Sequence, residues 1–344
     1  MKRQIIYCKD VPTDKTIHIH LMNVFNLNQY HEKLPVQAKP NDGYLFKYQI
    51  EGIDQSKLLI EAQDVVKKNG WWGFASMYQE SEVRDSYHGG FSITYNPYRT
   101  NVPIYASSLG QTKANVGQLF ISEAGTRLVR IIEEKGLTEK FSKIVSEQGL
   151  LAGKAWLETQ IEIDPELDWT ETNFTEKAAP TRNGYFDTYR FTKLVPEMHQ
   201  GEFGNLFSKF NVDICRSRCA WLRPGKKMSK LHDEFLWHSD EPLWTNLRMN
   251  IPLKTNPNFF LQDKIHGFKY LEVGSGYSWD TTILHRVGCY EDAGDERIHL
   301  VIGTIPWFTY LPDEDAYVTN DYFGEMHPID MLVNGHIIKG LKLV

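Results

Sequence analysis

The run "FLWHSDEPLWTNLRMNIPL" (235–253) sets an imidazole and a carboxylate two residues apart, His238 and Asp240, in a stretch rich in strand-forming residues. Side chains two apart on a strand point to the same side, so this pair can present two metal donors together. A third donor must arrive from a later strand, and His266, His285 and His299 are available downstream. His285, in "WDTTILHRVGC", stands at an expected strand start after a tight turn and is the best placed. Two imidazoles and one carboxylate on one face of a cation leave further positions open, which suits Fe(II) chemistry with O2 and a chelating keto acid. Such a co-substrate also needs a cation for its distal carboxylate, and the planar fork of arginine grips a carboxylate with two parallel hydrogen bonds. Arg297, in "DERIHLVIG", lies twelve residues beyond His285, a separation that suits the antiparallel strand after a short turn. Arg248, on the strand that follows the H-x-D pair, is a second candidate for carboxylate contact.

The elements that must position these residues change in texture near residue 205. Beyond it, short β-rich runs alternate with turn signals: "FNVDICRSRCAWL", "LRMNIPLKT", "FFLQ", "HGFKYLEV", "TTILHRVGCY" and "RIHLVIGTIPWF". That pattern predicts a β-sandwich or barrel over 205–310, with no helix in 211–310. Cys215 and Cys219 fall in an alternating strand and read as strand thiols rather than zinc ligands.

Residues 1–204 form a mixed α/β region expected to pack on the barrel as one fused unit. "DQSKLLIEAQDVVKKNG" (54–70) carries a capping Asp54 or Ser56, helical apolar spacing and a terminal Gly70, and predicts a helix. "WWGFAS" (71–76) and "GGFSITYNP" (89–97) read as strands, and 121–150 as helix in two pieces. "KTIHIHLMNVF" (15–25) alternates like a strand, with His18 and His20 on one face as surface or hydrogen-bonded histidines. The acidic stretch 162–176 reads as a solvated loop, and the tail from 311 to 344 as one or two strands packed back on the body.

Composition bounds the functions open to the chain. At 344 residues it can bury a full core, and a net charge of −6 argues against a broad basic surface for duplex nucleic acid. No run of about 18 apolar residues occurs, so no membrane span is expected. The start, "MKRQIIYCKDVP", lacks the apolar region of a secretory signal, and four cysteines do not make a disulfide framework. A reducing, cytoplasmic setting fits both features.

The arrangement H-S-D, then L-R-M-N-I-P-L, then a histidine, then R-I-H-L-V resembles the Fe(II)/2-oxoglutarate-dependent oxygenases. It is most similar to their aspartyl/asparaginyl β-hydroxylase and proline cis-hydroxylase branch, whose L-x-P-G turn "WLRPGKK" also resembles. "GGFSITYNP", "YFDTYRF" and "WHSDEP" together look like an uncharacterised bacteriophage set of that superfamily, which would place the protein in a host cytoplasm.

The resemblance implies an α+β protein with a double-stranded β-helix core (jelly-roll, cupin-like) and supporting N-terminal elements. It implies His238, Asp240 and His285 as iron ligands and Arg297 as the anchor of the 2-oxoglutarate 5-carboxylate. It also implies hydroxylation of a C–H bond in an amino acid, a peptide side chain or another small molecule, with release of succinate and CO2. In that branch the H-x-D histidine follows the P-G turn after a short interval, and here that spacing reaches His232 in "KLHDEFLWHSD". His232 and Glu234 are therefore a competing H-x-E pair. His238 and Asp240 are preferred because their segment runs directly into the Arg248 strand. His232 would then line the substrate entrance, with Trp237 and Trp244 as a substrate wall beside the ligands. Two other readings stay open: a nucleic-acid base hydroxylase or demethylase, and a β-barrel that binds or assembles without turnover.

Overall fold

The computed structural model describes residues 3–12, 15–73, 88–98, 104–109, 131–132, 134–148, 150–161, 187–222, 239–289 and 294–344. In chain order its strands are β1 (Ile5–Tyr7), β2 (Phe46–Ile50), β3 (Trp72–Gly73), β4 (His88–Ser92), β5 (Thr94–Tyr95), β6 (Lys193–Leu194), β7 (Asp213–Leu222) and β8 (Leu247–Lys254). They continue as β9 (Phe259–Asp263), β10 (Gly267–Lys269), β11 (Gly276–Ser278), β12 (His285–Cys289), β13 (Arg297–Ile305), β14 (Phe308–Leu311), β15 (Ala316–Thr319) and β16 (Leu341–Leu343). The architecture is α+β, and the strand pairs are antiparallel.

The largest sheet runs β16-β2-β11-β8-β13-β7-β4-β3. Its strands come from both sides of residue 205 and from the C-terminal end, so the N-terminal region and the β-rich region share one sheet. Along β8 and β13 almost every residue is buried, including those on both faces. One face carries Met249, Ile251, Ile298, Leu300 and Ile302 into the main core, which also takes in Leu58, Ala62 and Val65 of the helix Gln55–Asn69. Phe203, Leu206 and Phe207 of the helix Gly201–Phe207 join the same core.

The opposite face meets the small sheet β10-β9-β12. There Leu261 of β9 packs with Tyr277 of β11, Trp279, Leu271 and Leu45 in a second apolar cluster. Where β4 crosses β7, the approach is close enough to exclude a side chain. Gly90 has φ +128°, and a Cβ on it would lie 1.9 Å from the Cys219 carbonyl oxygen.

Several expectations hold. The helix Gln55–Asn69 begins at Asp54, whose carboxylate accepts from the Ser56 and Lys57 amides, and it ends at Gly70. Helix Thr138–Gln148 matches the second of the two pieces expected in 121–150. Most of the first piece lies outside the described residues, as does the acidic loop. No helix occurs in 211–310 among the described residues.

Others are corrected. Residues Ile17–Val24 are α-helical, not a strand. Ile17 and Leu21, four apart, are its buried residues, and the buried Asp187 carboxylate accepts from the Ile17 amide. The tail from 311 holds the expected strands, β15 and β16, and adds between them a helix, Pro328–Val333, that was not expected. β12 and β13 are not hairpin partners: β12 pairs with β9 in the small sheet, whereas β13 lies between β7 and β8 in the large one. His285 therefore stands in the small sheet and Arg297 in the large one, on opposite walls.

Candidate functional site

Asp240 lies in the segment that leads into β8, and its backbone amide donates to the Thr281 carbonyl at 2.9 Å. That bond ties the segment to the turn preceding β12, whose first residue is His285. The result is a meeting of Asp240 Oδ2 and His285 Nε2 at 3.8 Å. Both side chains are largely buried, with 14% and 5% of their surface accessible.

His285 Nδ1 lies 2.8 Å from the Ile283 carbonyl oxygen. A carbonyl only accepts, so Nδ1 carries a proton and Nε2 is the ring nitrogen that faces Asp240. This is the arrangement by which a backbone carbonyl fixes the tautomer of a metal-binding histidine. The edge of Trp279 packs against the imidazole at 5.9 Å and 88°. Donor atoms each about 2.1 Å from one cation lie about 3.0 Å apart at a right angle and about 4.2 Å apart when opposite, so this nitrogen and oxygen at 3.8 Å stand wider than one octahedral face requires. An imidazole nitrogen and a carboxylate oxygen are donor types that suit a first-row divalent metal. His238, the third expected ligand, lies outside the described residues, as do His232, Glu234 and Trp237. Among the described residues no three His, Cys, Asp or Glu side chains converge as a metal site.

Arg248 reaches the same carboxylate. Its Nε lies 3.1 Å from Asp240 Oδ2 and its Nη2 lies 3.0 Å from Glu241 Oε2. The guanidinium considered for a co-substrate carboxylate is thus engaged by two carboxylates of the chain itself. Burial disfavours its charge, but Asp240 and Glu241 outweigh that and push its pKa up. Burial likewise opposes ionisation of Glu241, and Arg248 and Arg216 overcome it, holding the carboxyl well below the usual range. Glu241 also accepts from Thr188 Oγ1 at 2.8 Å and from Asn246 Nδ2 at 3.3 Å.

Arg297 and His299 project from β13 two residues apart, on the face opposite Ile298 and Leu300. Register links this face to Arg248, because Gly303 pairs with Arg248, Val301 with Asn250 and His299 with Pro252. Arg297 is 4% and His299 1% exposed. The wall that carries them is therefore the one from which Arg248 reaches Asp240. Trp244, in contrast, belongs to the main core, where it stacks on Trp307 at 5.7 Å and sits edge-on to His327.

Sequence reasoning missed Glu241, Arg216 and Arg218. The signal for the arginines was present as R-x-R inside an otherwise apolar strand, β7. Arg216 has φ +39° beside the register shift at Val301/Gly303, and its Nη1 lies 3.9 Å from Glu241 Oε1. Burial, together with Arg248 and Arg216, lowers the Arg218 guanidinium to about 9. Glu241 adjoins Asp240, and period-two logic would send it to the other face. The segment 239–242 is not a strand, however, and both acids meet Arg248.

Beyond this chain, no protein-family model and no curated protein matches the sequence. No described helix is long and apolar enough to cross a membrane.

Proposed function

We propose that the protein is an Fe(II)- and 2-oxoglutarate-dependent oxygenase, built on a double-stranded β-helix, that hydroxylates a C–H bond of an amino acid, a peptide side chain or another small molecule. The observation that carries this reading is the convergence of His285 Nε2 and Asp240 Oδ2 at 3.8 Å, from separate elements, in a buried interior between two antiparallel sheets. The buried guanidinium of Arg297 on the facing sheet supports it.

Asp240, His285 and His238 would hold the metal. When bound with 2-oxoglutarate and O2, the iron supplies an oxidant able to take hydrogen from an unactivated C–H bond, with succinate and CO2 as co-products. The chain's own residues do the rest. The Ile283 carbonyl orients His285, and Arg248 keeps Asp240 aligned. Arg297 anchors the distal carboxylate of the co-substrate, and the packed walls exclude water from the reacting groups.

The test is iron binding and iron-dependent succinate formation in wild type, Asp240→Ala, His285→Ala and Arg297→Ala. Either ligand variant should lose both properties, and full turnover in one of them would refute the assignment. Arg297→Ala should keep iron and weaken 2-oxoglutarate binding. Iron bound without succinate formation under any condition would mark a barrel that binds only.

A further inference from the structure

The turn Thr188–Arg190, capped by Asp187, ties together several parts of the chain. The buried Asp187 carboxylate accepts from the Ile17 amide, at the start of the helix Ile17–Val24, and from the Tyr189 amide. Thr188 Oγ1 donates to Glu241, Tyr189 Oη donates to the Thr245 carbonyl at 2.7 Å, and Arg190 pairs with Asp315. Among the described residues the basic group paired with Asp187 is His18 of that helix, whose Nδ1 lies 3.8 Å from Oδ1. Nδ1 is buried and makes no hydrogen bond among the described residues, so ring and carboxylate face each other just beyond hydrogen-bond reach. Burial disfavours the charged ring, but the Asp187 and Glu241 carboxylates outweigh both burial and the Arg216 guanidinium and raise the pKa of His18. Asp187 from the turn, Glu241 from the segment before β8 and Arg216 from β7 are the charged groups around the ring. The Tyr189 ring, a phenol that burial keeps neutral, stands 6.2 Å away.

We propose that His18 and Asp187 form a protonation-dependent clasp: with the ring charged, the helix Ile17–Val24 is held on the Asp187–Arg190 turn, and Thr188 on that turn holds Glu241 in place for Arg248. The contacts run without a break. Thr188 Oγ1 lies 2.8 Å from Glu241 Oε1, and Glu241 Oε2 lies 3.0 Å from Arg248 Nη2. Arg216 Nη1 closes the group from β7, 3.5 Å from Thr188 Oγ1 and 3.9 Å from Glu241 Oε1. A folded value raised above 6.5 means that the charged ring stabilises the clasp fully below about 6.5. That contribution is lost as pH rises through the folded value, and the Glu241–Arg248 pair loosens with it. The inference does not need the metal reading. Where that reading holds, the clasp makes the alignment of Asp240 by Arg248 depend on pH.

The test is an NMR pH titration of the full chain without added metal. The His18 ring should titrate above 6.5 in wild type and about one unit or more lower in Asp187→Asn, which removes the facing charge. The Arg248 Nε–H signal should shift with the same midpoint as His18. That shift should vanish in His18→Gln, and it should shrink in Thr188→Val, which keeps the titrating ring but cuts the link to Glu241. Thr188→Val decides alone if His18→Gln does not fold. A His18 midpoint at or below 6.5 in wild type, or one that Asp187→Asn leaves unmoved, overturns the clasp. An Arg248 signal that ignores the His18 midpoint, or keeps its step in the variants, overturns the connection to the site. Failure of the protein to bind iron would sink the oxygenase reading and leave all of these outcomes as they stand.

Discussion

At the scale of single residues, Arg248 has the largest electrostatic task in the site. It is 6% exposed and lies between two carboxylates, so its removal strands Asp240 and Glu241 as buried anions. Breaking a buried ion pair from one side costs about 3–5 kcal/mol, because the remaining charge loses its partner without regaining water. Arg248→Met should therefore lower unfolding free energy by about that amount in urea titrations. Adding Asp240→Asn and Glu241→Gln to it should restore a large part, since the neutral trio no longer buries an unpaired charge. A single variant within about 1 kcal/mol of wild type would show that Arg216 already balances both acids. Arg248→Lys is not a neutral control: an ammonium cannot hold Asp240 and Glu241 with separate arms of a rigid fork.

At the scale of elements, the C-terminal helix Pro328–Val333 depends on a histidine cap. His327 Nδ1 accepts the Ile329 amide at 3.1 Å, which requires a neutral ring with its lone pair there. Burial, opposed by Asp330 and Asp280, lowers His327 to about 4 from an ordinary 6.5. Its folded value is depressed, so its stabilising contribution is complete above 6.5 and is lost as pH falls towards 4. The full swing is on the order of 3 kcal/mol. His327→Asn keeps a capping side chain that does not titrate. Denaturation compared at about pH 7 and about pH 4.5 should show a shallower loss in the variant than in wild type. Parallel losses would remove His327 as the source.

The same helix shows where the sequence was legible. Gln55–Asn69 could be read because cap, apolar spacing and terminal glycine all lie within the segment. Pro328 also carried a local start signal, proline at the first helical position, but histidine is not a usual cap and the apolar run around it reads equally well as strand. Ile17–Val24 was ambiguous in the same way. Its I-H-I-H alternation satisfies period two while Ile17 and Leu21 satisfy a helical turn, and the deciding partner, Asp187, lies 170 residues away. In the site, His285 fell at a strand start as expected, whereas Arg297 opens β13 in the other sheet and not in a hairpin with β12. Arg216 carried a local signal, R-x-R within β7, but its partner Glu241 did not, because that acid meets the arginines from another segment.

At the scale of the whole molecule, the decisive feature is that the site-bearing strands do not make a self-sufficient barrel. β11, β8, β13 and β7 lie adjacent in the large sheet, but β2 borders β11 and β4 borders β7, and both of these are N-terminal. Of the helices that share a core with Met249, Ile251, Ile298, Leu300 and Ile302, Gln55–Asn69 and Gly201–Phe207 lie before residue 208 and Pro328–Val333 lies after 310. Each of those side chains gains about 1.5–3 kcal/mol from burial, a sum comparable with the net stability of a domain. A fragment of residues 205–310 keeps the expected catalytic texture yet leaves that face uncovered and two strand edges unpaired. It should show no cooperative urea transition and should bind a hydrophobic dye in buffer, whereas the full chain should unfold cooperatively and bind little. A sigmoidal transition in the fragment would mean that the small sheet and the site wall suffice as a core. The interior that holds Asp240, His285 and Arg297 would then owe nothing to the N-terminal strands. If the fragment is molten, the placement of these three residues depends on chain some two hundred positions away, and substitutions in β2, β4 or the helix Gln55–Asn69 should loosen the site without touching it.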